Sequence, residues 1–178
     1  MMGAEARLED ADKGSTAGAL VKRGITSLDR PRDGRDLEIE GLWFTLSRIP
    51  WRTLVMVPTD EGASAVEVAA ALADVGRRLR SGPVTFLLLS GPMDYAAAGK
   101  IVQAVGGRRD AGRPDERQGD GRLIIAIPPV VTEPLGLAVT EVADAVVLCV
   151  QRDESRIRVA EKTLELVGRE RVVGALML

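Results

Sequence analysis

The stretch TLVMVPTDEGASAVEVAAALADVGRRL, residues Thr53–Leu79, decides the fold of this chain. It opens with an apolar run, Thr53–Val57, of the kind that forms a buried strand. A turn rich in small residues, Pro58–Ser64, follows, and the Ala-rich segment Val66–Leu79 has the apolar spacing of an amphipathic helix. The stretch therefore predicts a strand, a tight loop and a helix in direct succession.

The loop has the position of a phosphate-binding loop but lacks its residues. Such a loop reads G-x-x-x-x-G-K-[ST] and holds phosphate at the N-terminus of the helix that follows. The corresponding residues here are Asp60, Glu61, Gly62, Ala63, Ser64 and Ala65. Gly62 is retained, but Ala63 occupies the lysine position, and two carboxylates precede them. Those carboxylates suit the positive end of the helix dipole and would repel a triphosphate. We predict that MgATP binds with roughly millimolar affinity or weaker.

Composition excludes several classes of function. The length of 178 residues fits one domain with a sizeable core, and the hydrophobic content of 46% is ordinary for a soluble globular protein. A net charge of −2 gives no electrostatic case for nucleic acid or an anionic membrane. Aromatic residues make up only 3% of the chain, which argues against stacking platforms for single-stranded nucleic acid.

The titratable residues narrow the chemistry further. The chain has no histidine, which removes Ser-His and Cys-His nucleophile pairs and His-ligated zinc. Its one cysteine, Cys149, lies inside the apolar run Ala145–Val150 and is predicted to be an inert core thiol. No apolar stretch is long enough to span a membrane, and no signal peptide is recognisable. We therefore expect a cytoplasmic protein without histidine-based catalysis or a histidine-ligated metal site.

Helix and strand patterns alternate through the rest of the chain. Residues 1–36 are predicted to be a flexible arm, and residues 37–178 a single domain in which 106–122 form a surface loop. The predicted later elements are Val84–Leu89, Leu123–Ile127, Ala145–Val150 and Val172–Leu178 as strands, and Asp94–Val105, Glu133–Val142 and Glu154–Val167 as helices. Because every strand is apolar throughout, we predict a three-layer, Rossmann-like α/β sandwich with a mostly parallel sheet.

Ligands of such folds bind beyond the carboxyl ends of the strands. The segments to be tested for function are therefore Pro58–Ser64, Ser90-Gly91, Ala126–Pro129 and Gln151–Asp153.

A short amphipathic segment, LEIEGLWFTLSRI at Leu37–Ile49, precedes the first strand. It is predicted to be a helix that ends before Pro50. Its apolar residues are candidates for binding a partner or for packing on the domain, and packing is the favoured interpretation. The partner-binding candidates are Leu42, Trp43, Phe44 and Leu46.

The order of elements resembles the bacterial tyrosine kinases of capsule and exopolysaccharide export, which belong to the Min/Par-like P-loop ATPases. LIIAIPPVVTEPLGLAVTEVADAVVLCVQ, at 123–151, is similar to the family's hydrophobic-Asp-Thr-Pro-Pro-Val stretch and the strand after it. SRIRVAEKTLELVGRERVVGALML, at 155–178, resembles the next helix and strand, and 57–79 resembles the phosphate loop with its helix. Leu37–Ile49 lies where the family carries a Glu-x-x-Arg-x-x-Arg helix used in ring assembly. The resemblance covers about residues 37–178 and implies a P-loop NTPase-like fold.

The departures from the family fall on its catalytic positions. Ala63 replaces the lysine, Ala65 a hydroxyl residue, and Asp60 a glycine that lets the backbone approach phosphate. Ala126 replaces the aspartate that supports magnesium, and the tail has no tyrosine cluster, since the only tyrosine is Tyr95. Phosphoryl transfer depends on positioning and charge neutralisation. The resemblance therefore implies a degenerate member, a pseudo-ATPase or pseudokinase with no catalytic residues, no metal site and no working cofactor site.

Three hypotheses follow from this resemblance. The first is a non-catalytic binding or regulatory protein beside a membrane polysaccharide co-polymerase or an active paralogue, peripheral to the inner membrane through that partner, with homo-oligomerisation left open. The second is an ATPase or tyrosine kinase of altered chemistry that uses Ser64, Arg52, Lys100 or the Arg108–Arg122 loop in place of the lysine. The third is a positioning regulator of the Min or Par type.

Overall fold

Five parallel strands form one sheet in the computed structural model, which describes residues 34–61, 65–79, 82–110, 121–151 and 157–178. The strands are β1 (Thr53–Pro58), β2 (Val84–Leu88), β3 (Arg122–Ala126), β4 (Ala145–Val150) and β5 (Val172–Met177). The helices are α1 (Gly34–Leu46), α2 (Ala65–Leu79), α3 (Tyr95–Asp110), α4 (Gly136–Val142) and α5 (Ile157–Val167). The predicted flexible arm lies outside the described residues except for its last three positions, which belong to α1.

The strand order across the sheet is β2-β3-β1-β4-β5. All four pairings are parallel, and β1 lies at the centre between β3 and β4. Every residue of β1 and β4 is buried, as the unbroken apolar runs predict. The prediction of an α/β fold with a mostly parallel sheet is confirmed, and the fold is consistent with that of P-loop NTPases.

Two hydrophobic clusters cover the two faces of the sheet. Leu54 and Met56 of β1 belong to the cluster that includes α1 and α2. Val55 and Val57 belong to the cluster that includes residues of α3, α4 and α5. Side chains of a strand alternate between faces, so β1 contributes to both cores. The predicted three-layer arrangement is therefore confirmed.

Helix α3 differs from its predicted bounds. It continues through Gly106 and Gly107 to Asp110, although the glycine pair was predicted to end it. Glycine costs a helix about 1 kcal/mol relative to alanine and does not forbid it, so a pair can stay helical when the rest of the helix is packed. The predicted surface loop 106–122 is therefore wrong at both ends, because β3 already begins at Arg122. Residues 111–120 lie outside the described part of the chain.

The two edge strands are less buried than predicted. Thr85 of β2 is exposed, and in β5 three alternate residues, Val173, Ala175 and Met177, are exposed. The ladder between β4 and β5 is also irregular, because Val146 pairs with Val172 while the next residue of β4 pairs with Gly174. An edge strand has a neighbour on one side only, and a bulge turns part of it away from the core. Apolar composition alone could not distinguish these strands from central ones.

Two tryptophans and an arginine hold α1 on the domain, and we call Trp43, Trp51 and Arg122 the tryptophan–arginine cluster. The two indole rings meet edge to face at a centroid distance of 5.9 Å and an angle of 82°. The Arg122 guanidinium lies 4.3 Å from the Trp51 ring centroid and 5.2 Å from that of Trp43. Trp51 Nε1–H donates to the carbonyl of Leu46 at 3.0 Å and so ties the end of α1 to the start of β1. Cation–π and aromatic contacts of this kind stabilise packing by about 0.5–2 kcal/mol each.

The contact between α1 and α2 depends on Gly76. A Cβ atom at this position would lie 2.5 Å from both Cη2 and Cζ3 of Trp43. The Trp43 ring cannot move away freely, because Trp51 and Arg122 pack against it. Glycine at this position therefore lets the two helices approach closely.

We expect Gly76→Ala to destabilise the protein by about 1–2 kcal/mol, because the overpacking cost exceeds the gain in helix propensity. Urea unfolding followed by tryptophan fluorescence measures this change. Gly99→Ala is the matched control, since Gly99 is exposed in the middle of α3 and a Cβ there would have nothing within 4 Å. The control should stabilise by up to about 1 kcal/mol. Equal effects of the two substitutions would contradict the role assigned to Gly76.

Candidate functional site

The candidate site lies where the connections from neighbouring strands leave the sheet on opposite faces. The loop after β1 leads to α2 on one face, whereas the loops after β3 and β4 lead to α4 and α5 on the other. The carboxyl end of β1 is therefore a topological switch point, the place where open α/β folds bind ligands. The sequence prediction placed the degenerate phosphate loop at this point.

Strand register brings the predicted site positions together at the carboxyl ends of the strands, which we call the site edge of the sheet. Met56 of β1 pairs with Ala126 of β3, and Pro58 pairs with Cys149 of β4. The N–H of Thr59 donates to the Cys149 carbonyl at 2.9 Å, so the chain stays against β4 as it leaves β1. The start of the loop, the magnesium-aspartate position on β3 and the end of β4 are therefore neighbours, as a nucleotide site of this fold requires.

Apolar side chains fill the space beneath this edge. Ala126 and Ala65 belong to the same hydrophobic cluster as Met56 and Cys149, and all four are at most 2% exposed. In a P-loop protein of this fold, the position of Ala126 would carry the carboxylate that supports Mg²⁺, whereas the magnesium hydroxyl directly after the lysine position corresponds to Ser64, outside the described residues. A methyl group offers no oxygen ligand, so Ala126 does not fit the role of the magnesium-supporting carboxylate.

The negative charge at the site edge is also unfavourable for phosphate binding. The described loops at the edge comprise residues 58–61, 89–94, 127–135 and 151. They contain four carboxylates, Asp60, Glu61, Asp94 and Glu133, and no lysine or arginine. Asp60 is partly buried and lies 3.5 Å from the hydroxyl of Thr59, which donates to it. An anionic ligand would therefore meet negative potential over the described part of the site.

Most residues proposed as substitutes for the missing lysine lie elsewhere. Arg52 precedes β1 and therefore lies at the amino ends of the strands. For a six-residue strand, this is about 20 Å from the loop. The segment Arg108–Arg122 joins the end of α3 to the start of β3, so both of its ends also lie at the amino ends of the strands. Lys100 is exposed within α3, between β2 and β3, and does not belong to the loop after β1.

Three positions of the predicted loop, Gly62, Ala63 and Ser64, lie outside the described residues. Their assignment therefore still depends on the sequence and on the described residues on either side.

The partner-binding candidates of α1 separate into two groups. Trp43 and Leu46 are each only 3% exposed and belong to the core, and Leu42 is partly buried against the same cluster. Phe44 is 57% exposed and points away from the domain. The packing interpretation of this helix is therefore confirmed for Trp43 and Leu46, and Phe44 remains as the candidate for contact with a partner.

Sequence analysis did not connect Cys149 with this edge. The thiol lies in the cluster below the loop, and burial raises its pKa from 9.0 to about 12. The prediction of a buried core thiol is confirmed. Only the pairing register between β1 and β4 could have revealed its position near the loop.

Comparisons with known proteins support the fold and go no further. No protein-family model matches the chain, and no curated protein matches it by sequence. Among solved structures, the chain is similar to the crystal structure of the chimerical protein CapA2B2, with a TM-score of 0.60 and 13% sequence identity. The likeness covers 84% of this chain and 86% of that chain. At this identity the comparison shows a shared α/β architecture.

The part of the chain that the structure describes also bears on metal binding and membrane insertion. No group of three or more Cys, Asp or Glu side chains is arranged there to hold a metal ion. In the same part of the chain, no helix has the length and apolar character needed to cross a membrane.

The shifted thiol predicts alkaline instability. Because the folded-state pKa of Cys149 is above its unfolded value, the thiol stabilises the fold below pH 9.0, and this contribution is lost as the pH rises toward about 12. Between those limits the free energy of unfolding should fall by up to about 1.4 kcal/mol per pH unit from this group. Cys149→Val, unfolded in urea at several pH values, should show a shallower decline. Parallel declines in the two proteins would contradict this assignment.

Proposed function

We propose that this chain is a non-catalytic protein with the fold of a P-loop ATPase, which functions by binding another protein in exopolysaccharide or capsule export. The resemblance of residues 37–178 to the tyrosine kinases of that pathway supports the pathway, and the likeness to CapA2B2 supports the shared architecture. The partner is a membrane polysaccharide co-polymerase or an active paralogue, and the chain acts beside the inner membrane through that partner.

The observation that carries the proposal is the apolar and acidic character of the described residues at the carboxyl end of β1. The methyl group of Ala126 lies in the core where a magnesium-supporting carboxylate would be needed. Asp60 and Glu61 stand at the N-terminal side of α2, where a nucleotide would place its phosphates. Restoring phosphate binding would require changes at several separate positions, which favours a binding role over an altered enzyme.

The outer side of α1 is the surface proposed for the partner. Its most exposed apolar residues are Leu37 and Phe44, at 59% and 57% exposure. They are seven residues apart on the helix, so both project from the side opposite Trp43 and Leu46. Exposed apolar residues aligned on one helix face are typical of helix-mediated recognition.

A calorimetric titration with MgATP tests the loss of the nucleotide site. We expect affinity of roughly millimolar or weaker, about −4 kcal/mol. A variant carrying Asp60→Gly, Ala63→Lys and Ala126→Asp should bind more tightly, because it regains a cation and a magnesium-supporting carboxylate. Micromolar binding by the natural sequence would contradict the proposal. Hydrolysis of radiolabelled ATP would also contradict it, and so would autophosphorylation that Tyr95→Phe abolishes.

Capture of the cytoplasmic part of the co-polymerase, or of the paralogue, tests the partner surface. Phe44→Asp should weaken capture by about tenfold or more, as loss of an aromatic anchor does. Its stability should change by no more than about 0.5 kcal/mol, because the side chain is exposed. Leu79→Asp is the matched control, since Leu79 is a similarly exposed apolar residue at the end of α2. If both variants bind like the natural sequence, the surface is wrongly placed.

A further inference from the structure

The outer face of α1 combines apolar residues with carboxylates. Leu37, Gly41, Phe44 and Arg48 follow one another at spacings of four, three and four residues, and all are exposed. This spacing places them in one stripe along the helix, continued by Arg48 just beyond its last residue. A Cβ at Gly41 would have nothing within 4 Å, so the middle of the stripe is open to solvent. We call these four residues the outer stripe.

Acidic residues flank the outer stripe at its N-terminal half. At 100° per residue, Glu40 and Asp36 fall on one flank of Leu37, and Glu38 falls on the other. Glu38 is exposed, and Asp36 and Glu40 are partly exposed. The described side chains of α1, from Asp36 to Leu46, include these three carboxylates and no lysine or arginine. The only cation of the outer stripe is Arg48, at the opposite end.

We propose that the outer stripe binds a segment of the partner that is both apolar and basic, with its lysines or arginines placed over Asp36, Glu38 and Glu40. This inference rests on the proposed function, since it specifies the chemistry of the partner that α1 recognises. Leu37 and Phe44 supply the apolar contacts, and Gly41 lets the partner backbone approach the helix. The carboxylates select cations, and Arg48 fixes the direction of the bound segment, because it favours an acidic residue at that end.

The same charges argue against a lipid surface. Helices that lie on membranes carry lysine and arginine beside their apolar face, because the leaflet is anionic. In α1 the described side chains that flank Leu37 are carboxylates, which an anionic bilayer would repel. Segments of membrane proteins next to the bilayer on the cytoplasmic side are rich in lysine and arginine, and so have the complementary charge.

A synthetic amphipathic peptide of roughly 18 residues, with leucines on one face and lysines on the other, is a suitable probe. Fluorescence anisotropy with the full chain should show binding that weakens as salt rises. Glu38→Lys combined with Glu40→Lys should weaken binding of the lysine peptide by about tenfold or more, and should create binding of the same peptide made with glutamates. Glu61→Lys combined with Glu67→Lys, at two exposed carboxylates near the start of α2, is the matched control and should leave binding unchanged.

The outcomes separate this inference from the proposed function. Equal binding of the lysine and glutamate peptides, no effect of the α1 variants, or binding to anionic vesicles would each overturn the inference. If the co-polymerase is captured but the α1 charge variants bind it normally, the proposed function stands and the inference fails. If MgATP binds with micromolar affinity while the α1 charge variants still change which peptide binds, the proposed function fails and the inference about α1 stands.

Discussion

Burial of β1 on both faces is the constraint from which the rest of the architecture follows. Four of its side chains, Leu54 to Val57, have no exposed surface. A strand buried in this way needs a neighbour on each edge and a helical layer on each face. Parallel neighbours in turn require crossovers, and the right-handed rule leaves few ways of arranging them. The switch point beside β1 is therefore a consequence of the core and does not depend on a ligand.

This separation explains how the architecture can be kept without the chemistry. The residues that bury β1 point into the two cores, whereas the residues that would bind phosphate extend beyond its carboxyl end. Substitutions in the loop leave β1 and its neighbours unchanged. At Ala65 and Ala126 the substitution adds to the core, because both methyl groups lie in the hydrophobic cluster under α2. The loss of the nucleotide site that we propose would therefore not weaken the structure that surrounds it.

The sequence predicted those parts of the fold that depend on long apolar runs. Central strands such as β4 were recognised because burial on both faces gives an unbroken apolar run. Helix α2 was recognised because its 15 residues show a clear helical pattern of apolar and polar positions. The strand edges and helix ends were less predictable. The two glycines near the end of α3 stay helical, and β5 has the composition of a central strand but lies at an edge. In both cases tertiary position outweighs the local pattern, and a single sequence does not contain that position.

The candidate site could be predicted from the sequence only in part. The replacement of a lysine by Ala63 can be read directly from the loop, but the packing of Ala126 with Ala65 depends on strand order and register. Trp43 shows the opposite limitation, because a tryptophan on an amphipathic helix is equally suited to a partner or to the core. Its burial depends on contacts of its ring with Gly76 and Arg122, which a single sequence does not contain.

Under the proposed function the protein has no nucleotide site, and it therefore lacks the usual means of switching its surfaces. A ligand can shift a conformational equilibrium only by the difference between its affinities for the two states, and millimolar MgATP binding would supply little of that difference. The surface of α1 would then be presented continuously, since the tryptophan–arginine cluster and the contact at Gly76 hold the helix in one position. Regulation of such a protein would come from the availability of its partner, because α1 would remain competent to bind whether or not ATP is present.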